Sequence, residues 1–391
     1  MMKIGVDATC WSNRRGFGRL ARELLSALLR RDRVNHYSFL VDQQSYAECR
    51  FPEAVRPIIV PTRQAPGQAA SATSRRSLGD LFRMSRAATG FDLFFFPAVY
   101  GYFPLLPRQK SVVMFHDAIA DRHPEWIFPK RRLRFFWDSK VWLARHQASL
   151  ILTVSEFARD SLLSQWKLAP KRVRVIREAA SPVFRRLDPA EVDLEVLERW
   201  GMDASTPYLI HVGGFSPHKN LPWLVDVFAD LTRQTRFAKL RLLLVGDFTG
   251  DSFHSNYQQI VGRIEVHRLS NRVILTGYLE DEVLVQLYNG ARALVFPSRE
   301  EGFGLPAVEA MACAIPVVAS RAGSLPEVIG EAGLLFNPSR PADLKRALES
   351  VLDHADLRAD LSARALKRSR SFSWERAAQS LLEMFEDVGQ A

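Results

Sequence analysis

Short apolar, β-branched runs alternate with helix-patterned segments along the whole chain, and this alternation limits the fold more than any other feature. In the first half, runs at 3–8, 37–41, 57–60, 93–96, 112–115, 150–154 and 173–176 read as strands. In the second half the runs fall at 208–212, 240–245, 272–275, 293–296, 317–320 and 333–336. Helical patterns lie between them, for example at 19–29, 155–164, 221–233 and 280–287. Near-continuous apolar strands alternating with helices predict parallel sheets covered on both faces, an α/β protein with two doubly wound sheets. The two series are separated by 185–207, which holds Pro189, an amphipathic piece at 194–200 and a turn-rich end. The domain boundary is therefore placed at 185, giving 1–185 and 186–372. The segment 373–388 reads as a long amphipathic helix, with Trp374, Ala377, Leu381, Met384 and Phe385 on one side. The stretch 64–76, small, polar and Gly/Ala/Ser-rich, reads as a mobile loop.

A chain of 391 residues is long for a single core, so two domains are the default. Hydrophobic content of 47% and charged content of 25% fit a globular protein in water. Cys10, Cys49 and Cys313 have no paired spacing and read as free thiols of a reducing compartment. The N-terminal M-M-K-I-G-V-D-A is a strand pattern, not a signal peptide, and no run has the length of a membrane span. The net charge of +10 is uneven: residues 1–188 carry +16 and the remainder −6. Basic clusters stand at Arg30, Arg31 and Arg33, at Arg75, Arg76, Arg83 and Arg86, and at Lys130, Arg131, Arg132 and Arg134. Nucleic acid, an anionic membrane and a plain solvated surface all fit such a half. No nucleic-acid-binding module is present.

Residues 298–320 read S-R-E-E-G-F-G-L-P-A-V-E-A-M-A-C-A-I-P-V-V-A-S. An apolar strand (293–297) leads into a loop with Glu301, Gly302, Phe303 and Gly304. Leu305 and Pro306 then open a helix carrying Glu309 about one turn in. Backbone N–H groups around Phe303, Gly304 and Leu305 at the helix start suit an anion, and carboxylates beside them suit sugar or ribose hydroxyls. A second loop, Gly213-Gly214-Phe215-Ser216-Pro217-His218-Lys219-Asn220, follows a buried strand and precedes a helix, so Lys219 can meet a diphosphate as a point charge. Near the N-terminus, Gly16, Phe17 and Gly18 follow strand one. They lack the third glycine and the later acidic residue of a dinucleotide fingerprint. His116 and Asp117 stand at the end of the strand 112–115, where ligands sit in open α/β sheets. Ser155-Glu156 follows the strand 150–154 and reads as a helix cap or a site border. No D-x-D, H-E-x-x-H, P-loop or G-x-S-x-G occurs.

The string E-G-F-G-L-P-A-V-E-A-M-A resembles the E-x7-E motif of retaining glycosyltransferases of family 4, which have the GT-B fold. That resemblance implies two Rossmann-like domains facing a central cleft, with the last helix (373–391) returning to the first domain. It implies a nucleotide-sugar donor on the C-terminal domain and an acceptor on the N-terminal domain. Glu301 would hold the transferred sugar, Glu309 the ribose and Lys219 the diphosphate, with Gly213, Gly214 and His218 lining that site. The loop of Gly16, Phe17 and Gly18 would face donor phosphates and acceptor. His116 would border the reacting sugar, with Asp117 on the acceptor side. Many members carry an arginine directly after the first glycine, where this chain has Gly214. His218 stands where related members have another arginine, so charge neutralisation would fall more heavily on Lys219 and be weakly pH-dependent. The Pro217-His218-Lys219-Asn220 run and the His116-Asp117 pair resemble bacterial mannosyltransferases of O-antigen and capsule assembly. This implies GDP-mannose as donor, a lipid-linked oligosaccharide as acceptor and no metal or other cofactor. It also implies a cytoplasmic protein, peripheral on the inner face of the membrane through its basic first half, with no nucleic-acid partner. Alternatives are a UDP-sugar-dependent transferase, a soluble-acceptor synthase of the same fold, and a non-enzymatic nucleotide-binding scaffold. Oligomeric state is not legible in the sequence.

Overall fold

The computed structural model describes residues 1–63, 77–107, 109–128, 130–248 and 255–390. The stretch 64–76, expected to be a mobile loop, lies outside the described residues. The chain divides into two compact units, Met1–Glu178 with Ser373–Ala391, and Ala179–Phe372.

The first unit holds strands β1 (Lys3–Asp7), β2 (His36–Asp42), β3 (Arg56–Val60), β4 (Leu93–Phe96), β5 (Lys110–Met114), β6 (Leu150–Thr153) and β7 (Val173–Val175), all parallel, in the order β3-β2-β1-β4-β5-β6-β7. The central strand β4 reads L-F-F-F and is buried throughout, as a strand covered on both faces must be. Pro57 lies in β3, at the sheet edge, where a missing N–H costs no ladder bond. The helix Gly16–Arg31 buries Leu20, Leu24 and Leu28 at four-residue spacing. The last helix, Trp374–Gln390, belongs to this unit: Glu375 pairs with Arg30 at 3.5 Å and the Phe385 ring meets Phe95 at 5.3 Å.

The second unit holds β8 (Tyr208–Val212), β9 (Arg241–Val245), β10 (Val273–Gly277), β11 (Ala293–Phe296), β12 (Val317–Ser320) and β13 (Gly333–Phe336), also parallel, in the order β10-β9-β8-β11-β12-β13. Its core gathers Leu221, Leu224, Val225 and Phe228 of the helix Leu221–Leu231 with Leu242 and Leu244 of β9. The boundary falls between 178 and 179, seven residues before the position expected from sequence. Residues 179–185 go with the second unit because Phe184 packs edge-on against Tyr288 at 5.8 Å and the Asn289 amide donates to the Arg185 carbonyl.

Among the described residues, no helix is long and apolar enough to cross a membrane. All three cysteines are free, and burial pushes the Cys10 and Cys313 thiols well above their ordinary range.

Candidate active site

Both sheets reverse their strand order next to the first strand of the series, at β1/β4 and at β8/β11. The carboxyl ends of strands at such a switch diverge and leave a crevice for ligands. Of the residues singled out in the sequence, Gly16 and Gly18 follow β1, Gly213 and Lys219 follow β8, and Glu301 follows β11, whereas His116 and Asp117 follow β5, Ser155 follows β6 and Glu309 lies within a helix.

In the second unit, β8 runs into Gly213 and Gly214 and then a short turn, Pro217–Lys219. Because β11 is the neighbour of β8, its outgoing loop meets this turn. The Arg299 amide donates to the His218 carbonyl at 2.7 Å, and Lys219 Nζ donates to Glu301 Oε1 at 2.7 Å. The Lys219 ammonium also stands 5.5 Å from the centre of the Phe296 ring. His211 is stacked on that ring, fully buried, with Nδ1 3.0 Å from the Val295 carbonyl. Burial pushes the His211 pKa down to about 4, against the hydrogen bond to Val295, and the charge of Lys219 lowers it further. His218 is also driven well below the ordinary histidine range, by burial and then by Lys219. A mostly desolvated imidazole beside an ammonium stays neutral, so the charge at this turn comes from Lys219, as expected, and the weak pH dependence read from His218 is not supported. Buried atoms without a hydrogen-bond partner collect on these two loops and strands: His211 Nε2, His218 Nδ1, Asn220 Nδ2 and Ser298 Oγ.

The loop bearing Glu301, Gly302 and Phe303 is clamped from behind by the segment after β12. Ser324 Oγ donates to the Phe303 carbonyl at 2.8 Å and the Ser324 amide to the Glu301 carbonyl at 3.2 Å. Gly323 sits at φ 60°, and a Cβ there would lie 2.5 Å from the Glu301 nitrogen. Gly304 (φ 98°) precedes the helix Leu305–Ala312, whose Leu305 is buried, and the Phe303 ring packs at right angles on Phe372. Glu309, 3% exposed, accepts a hydrogen bond from the Tyr288 hydroxyl at 3.3 Å. Glu301 and Glu309 thus have separate surroundings, one an ammonium and the other a buried phenol.

In the first unit, the helix Gly16–Arg31 begins at Gly16. A Cβ at Gly18 would overlap the Asn13 carbonyl oxygen, whereas one at Gly16 would meet nothing within 4 Å. Gly18 therefore serves the turn, and Gly16 is the residue of the pair with open space. Arg22 holds the loop by donating to the Trp11 and Asn13 carbonyls, at 2.6 and 2.8 Å. The Phe17 ring lies 4.8 Å from Tyr100 and 6.3 Å from the ring of His116. His116 Nε2 is 3.0 Å from the Pro97 carbonyl, just past β4, and Nδ1 is 3.8 Å from the buried Glu178 carboxylate. Asp117 accepts from the Ile119 amide at 2.8 Å. Ser155 caps the helix Glu156–Trp166 by accepting from the Ala158 amide.

Sequence reasoning missed Glu178, Tyr100, His211, Gly323 and Ser324. Gly323 and Ser324 follow β12 as Gly302 and Phe303 follow β11, a signal readable once adjacent strands are known. The other three carry no spacing signal.

The family model "Glycosyl transferases group 1" matches residues 195–368, and "Glycosyltransferase Family 4" matches residues 14–180. O-antigen chain mannosyltransferase B of Escherichia coli is 32% identical over 278 residues, 71% of this chain and 70% of that protein. The chain belongs to this glycosyltransferase family and is a glycosyltransferase of the hexosyltransferase class with the GT-B fold. Serotype-specific mannosyltransferase WbdA of Escherichia coli is 29% identical over 284 residues, 72% of this chain but 34% of that longer protein. Among solved structures, sucrose-phosphate synthase from Thermosynechococcus elongatus aligns with a TM-score of 0.76 at 20% identity, covering 99% of both chains. WaaG, a glycosyltransferase involved in lipopolysaccharide biosynthesis, aligns with 0.74 at 15% identity, covering 98% of both.

Proposed function

We propose that the protein transfers mannose from GDP-mannose, with retention and without a metal, to a lipid-linked glycan in bacterial surface polysaccharide synthesis. The observation that carries this reading is the Lys219–Glu301 contact at the β8/β11 switch, where a cation for diphosphate and an acceptor for sugar hydroxyls stand 2.7 Å apart. The relatives named as O-antigen and serotype-specific mannosyltransferases support the sugar and the class of acceptor.

In this reading the second unit takes the donor. Lys219 meets the diphosphate, alongside Gly213, Gly214 and His218. Glu301 binds hydroxyls of the transferred sugar and Glu309 those of the ribose. The N-terminus of the helix Leu305–Ala312 favours the phosphate charge. The acceptor hydroxyl attacks the anomeric carbon on the face the diphosphate leaves. As the bond to the diphosphate oxygen breaks, the hydroxyl proton passes to that phosphate. Charge grows on the leaving group, so a fixed cation such as Lys219 acts more strongly in the transition state than in the ground state. The first unit takes the acceptor, with Gly16, Phe17, Gly18, His116 and Asp117 as its working residues. Its excess of basic residues suits an anionic membrane, where a peripheral protein would find a lipid-linked acceptor.

The test is the change in melting temperature with GDP-, UDP-, ADP- and dTDP-sugars in the presence of EDTA, since a bound donor stabilises the fold by mass action. A shift with GDP-mannose supports the proposal and its metal independence. A shift with a UDP-sugar alone discards the mannosyl reading while keeping the site.

A further inference from the structure

The helix Arg131–Gln147 turns Val141 and Ala144 into the core of the first unit. Its outer side is apolar where water should favour polar groups: Phe135 is 68% exposed, Phe136 53% and Trp142 54%. Phe135 and Trp142 are two turns apart and share one side of the helix, and the Phe135 and Phe136 rings meet at 5.9 Å. Exposed rings grouped this way mark a contact surface, because each carries a large hydrophobic free energy that burial would release. Arg131, Arg132 and Arg134 are exposed on the same end of the helix. Asp138 is the helix's single acidic residue and stands 3.4 Å from Arg134.

Rings flanked by arginines on a surface helix suit one partner in particular. A bilayer offers an acyl boundary for the rings and, a few ångströms above it, phosphates for the guanidinium groups. We infer that this helix is a membrane-docking element that lies in the plane of an anionic bilayer, with Phe135, Phe136 and Trp142 below the phosphates and Arg131, Arg132 and Arg134 among them. The inference deepens the membrane-linked part of the proposed function and rests on it. It adds an apolar insertion to what charge alone would supply, so attachment should outlast moderate salt, which screens charge but not ring burial.

Flotation of the full chain with vesicles of phosphatidylcholine, with and without phosphatidylglycerol, tests it. The protein should float with the phosphatidylglycerol vesicles. Phe135→Ser with Trp142→Ser, and separately Arg131→Gln with Arg132→Gln, should each lower the partition by about tenfold or more. Acyl chains brominated near the headgroup should quench the wild-type tryptophan fluorescence, and Trp142→Phe should lose that quenching. Failure of the wild type to float overturns the inference, and so does a Phe135/Trp142 pair variant that floats as well as wild type. The melting shift with GDP-mannose, read on the same variants, is independent of vesicles. It verifies that they fold and separates a wrong docking surface from a wrong donor.

Discussion

Lys219 is already engaged by Glu301, so in the proposed reading an arriving diphosphate would share or displace that carboxylate. Lys219→Ala is expected to lower turnover by about 100-fold, the scale of losing one fixed electrostatic stabiliser, measured as kcat with GDP-mannose. Glu309→Ala is expected to weaken GDP binding by about 1.5–3 kcal/mol, read by titration calorimetry, as for a lost charge-assisted hydrogen bond. Wild-type values for both would remove these residues from the site. His211 leads to a prediction about stability. Its folded pKa of about 4 lies below the ordinary 6.5, so between these values the unfolded chain binds a proton that the folded chain refuses. Stability contributed by neutral His211 is complete above pH 6.5 and falls by up to about 3 kcal/mol as pH drops toward 4. His218 acts in the same direction. His211→Phe keeps a ring on Phe296 and removes the titration, so its melting temperature should decline less steeply than wild type over that window. Equal slopes would show that His211 does not titrate in this way.

At the scale of elements, the loops work because glycines allow backbones to touch. Gly323→Ala places a methyl group against the Glu301 backbone at a positive φ. It should cost about 1–3 kcal/mol in urea denaturation and reduce turnover by displacing Glu301. Gly16→Ala meets nothing, and its stability should stay within about 0.5 kcal/mol of wild type. The elements themselves were legible. All thirteen strands found among the described residues lie on the apolar runs read from sequence, to within about two residues at each end; the central ones, such as β4 and β11, are apolar throughout because both faces are buried, while edge strands such as β3 are legible despite partial exposure. Gly213, Gly214, Gly302 and Gly304 were legible as loop residues, whereas Gly16 and Gly18, read as a loop, lie in the first turn of the helix Gly16–Arg31; which glycine faces open space was not legible. That depends on a carbonyl brought close by the fold, as Asn13 is to Gly18.

At the scale of the molecule, the first unit is assembled from two segments far apart in sequence. The final helix buries Leu381, Met384 and Phe385, with Phe385 against Phe95 of β4. Phe385→Ala should cost about 3–5 kcal/mol, and removal of 373–391 should abolish cooperative melting of the first unit, followed by calorimetry. Retention of that transition would mean the helix is an accessory. The sequence by itself determined the class of fold and the positions of the strands, because apolar periodicity acts over a few residues, whereas helices such as Arg131–Gln147 and Ala355–Ser369 were not singled out. Only the tertiary structure decided that β8 lies beside β11 and β1 beside β4, since strand order arises from pairings between distant segments. The β8/β11 pairing brings Lys219 to Glu301 and sets His211 on Phe296, and the run β4-β5-β6-β7 lays His116 near the Pro97 carbonyl and Glu178.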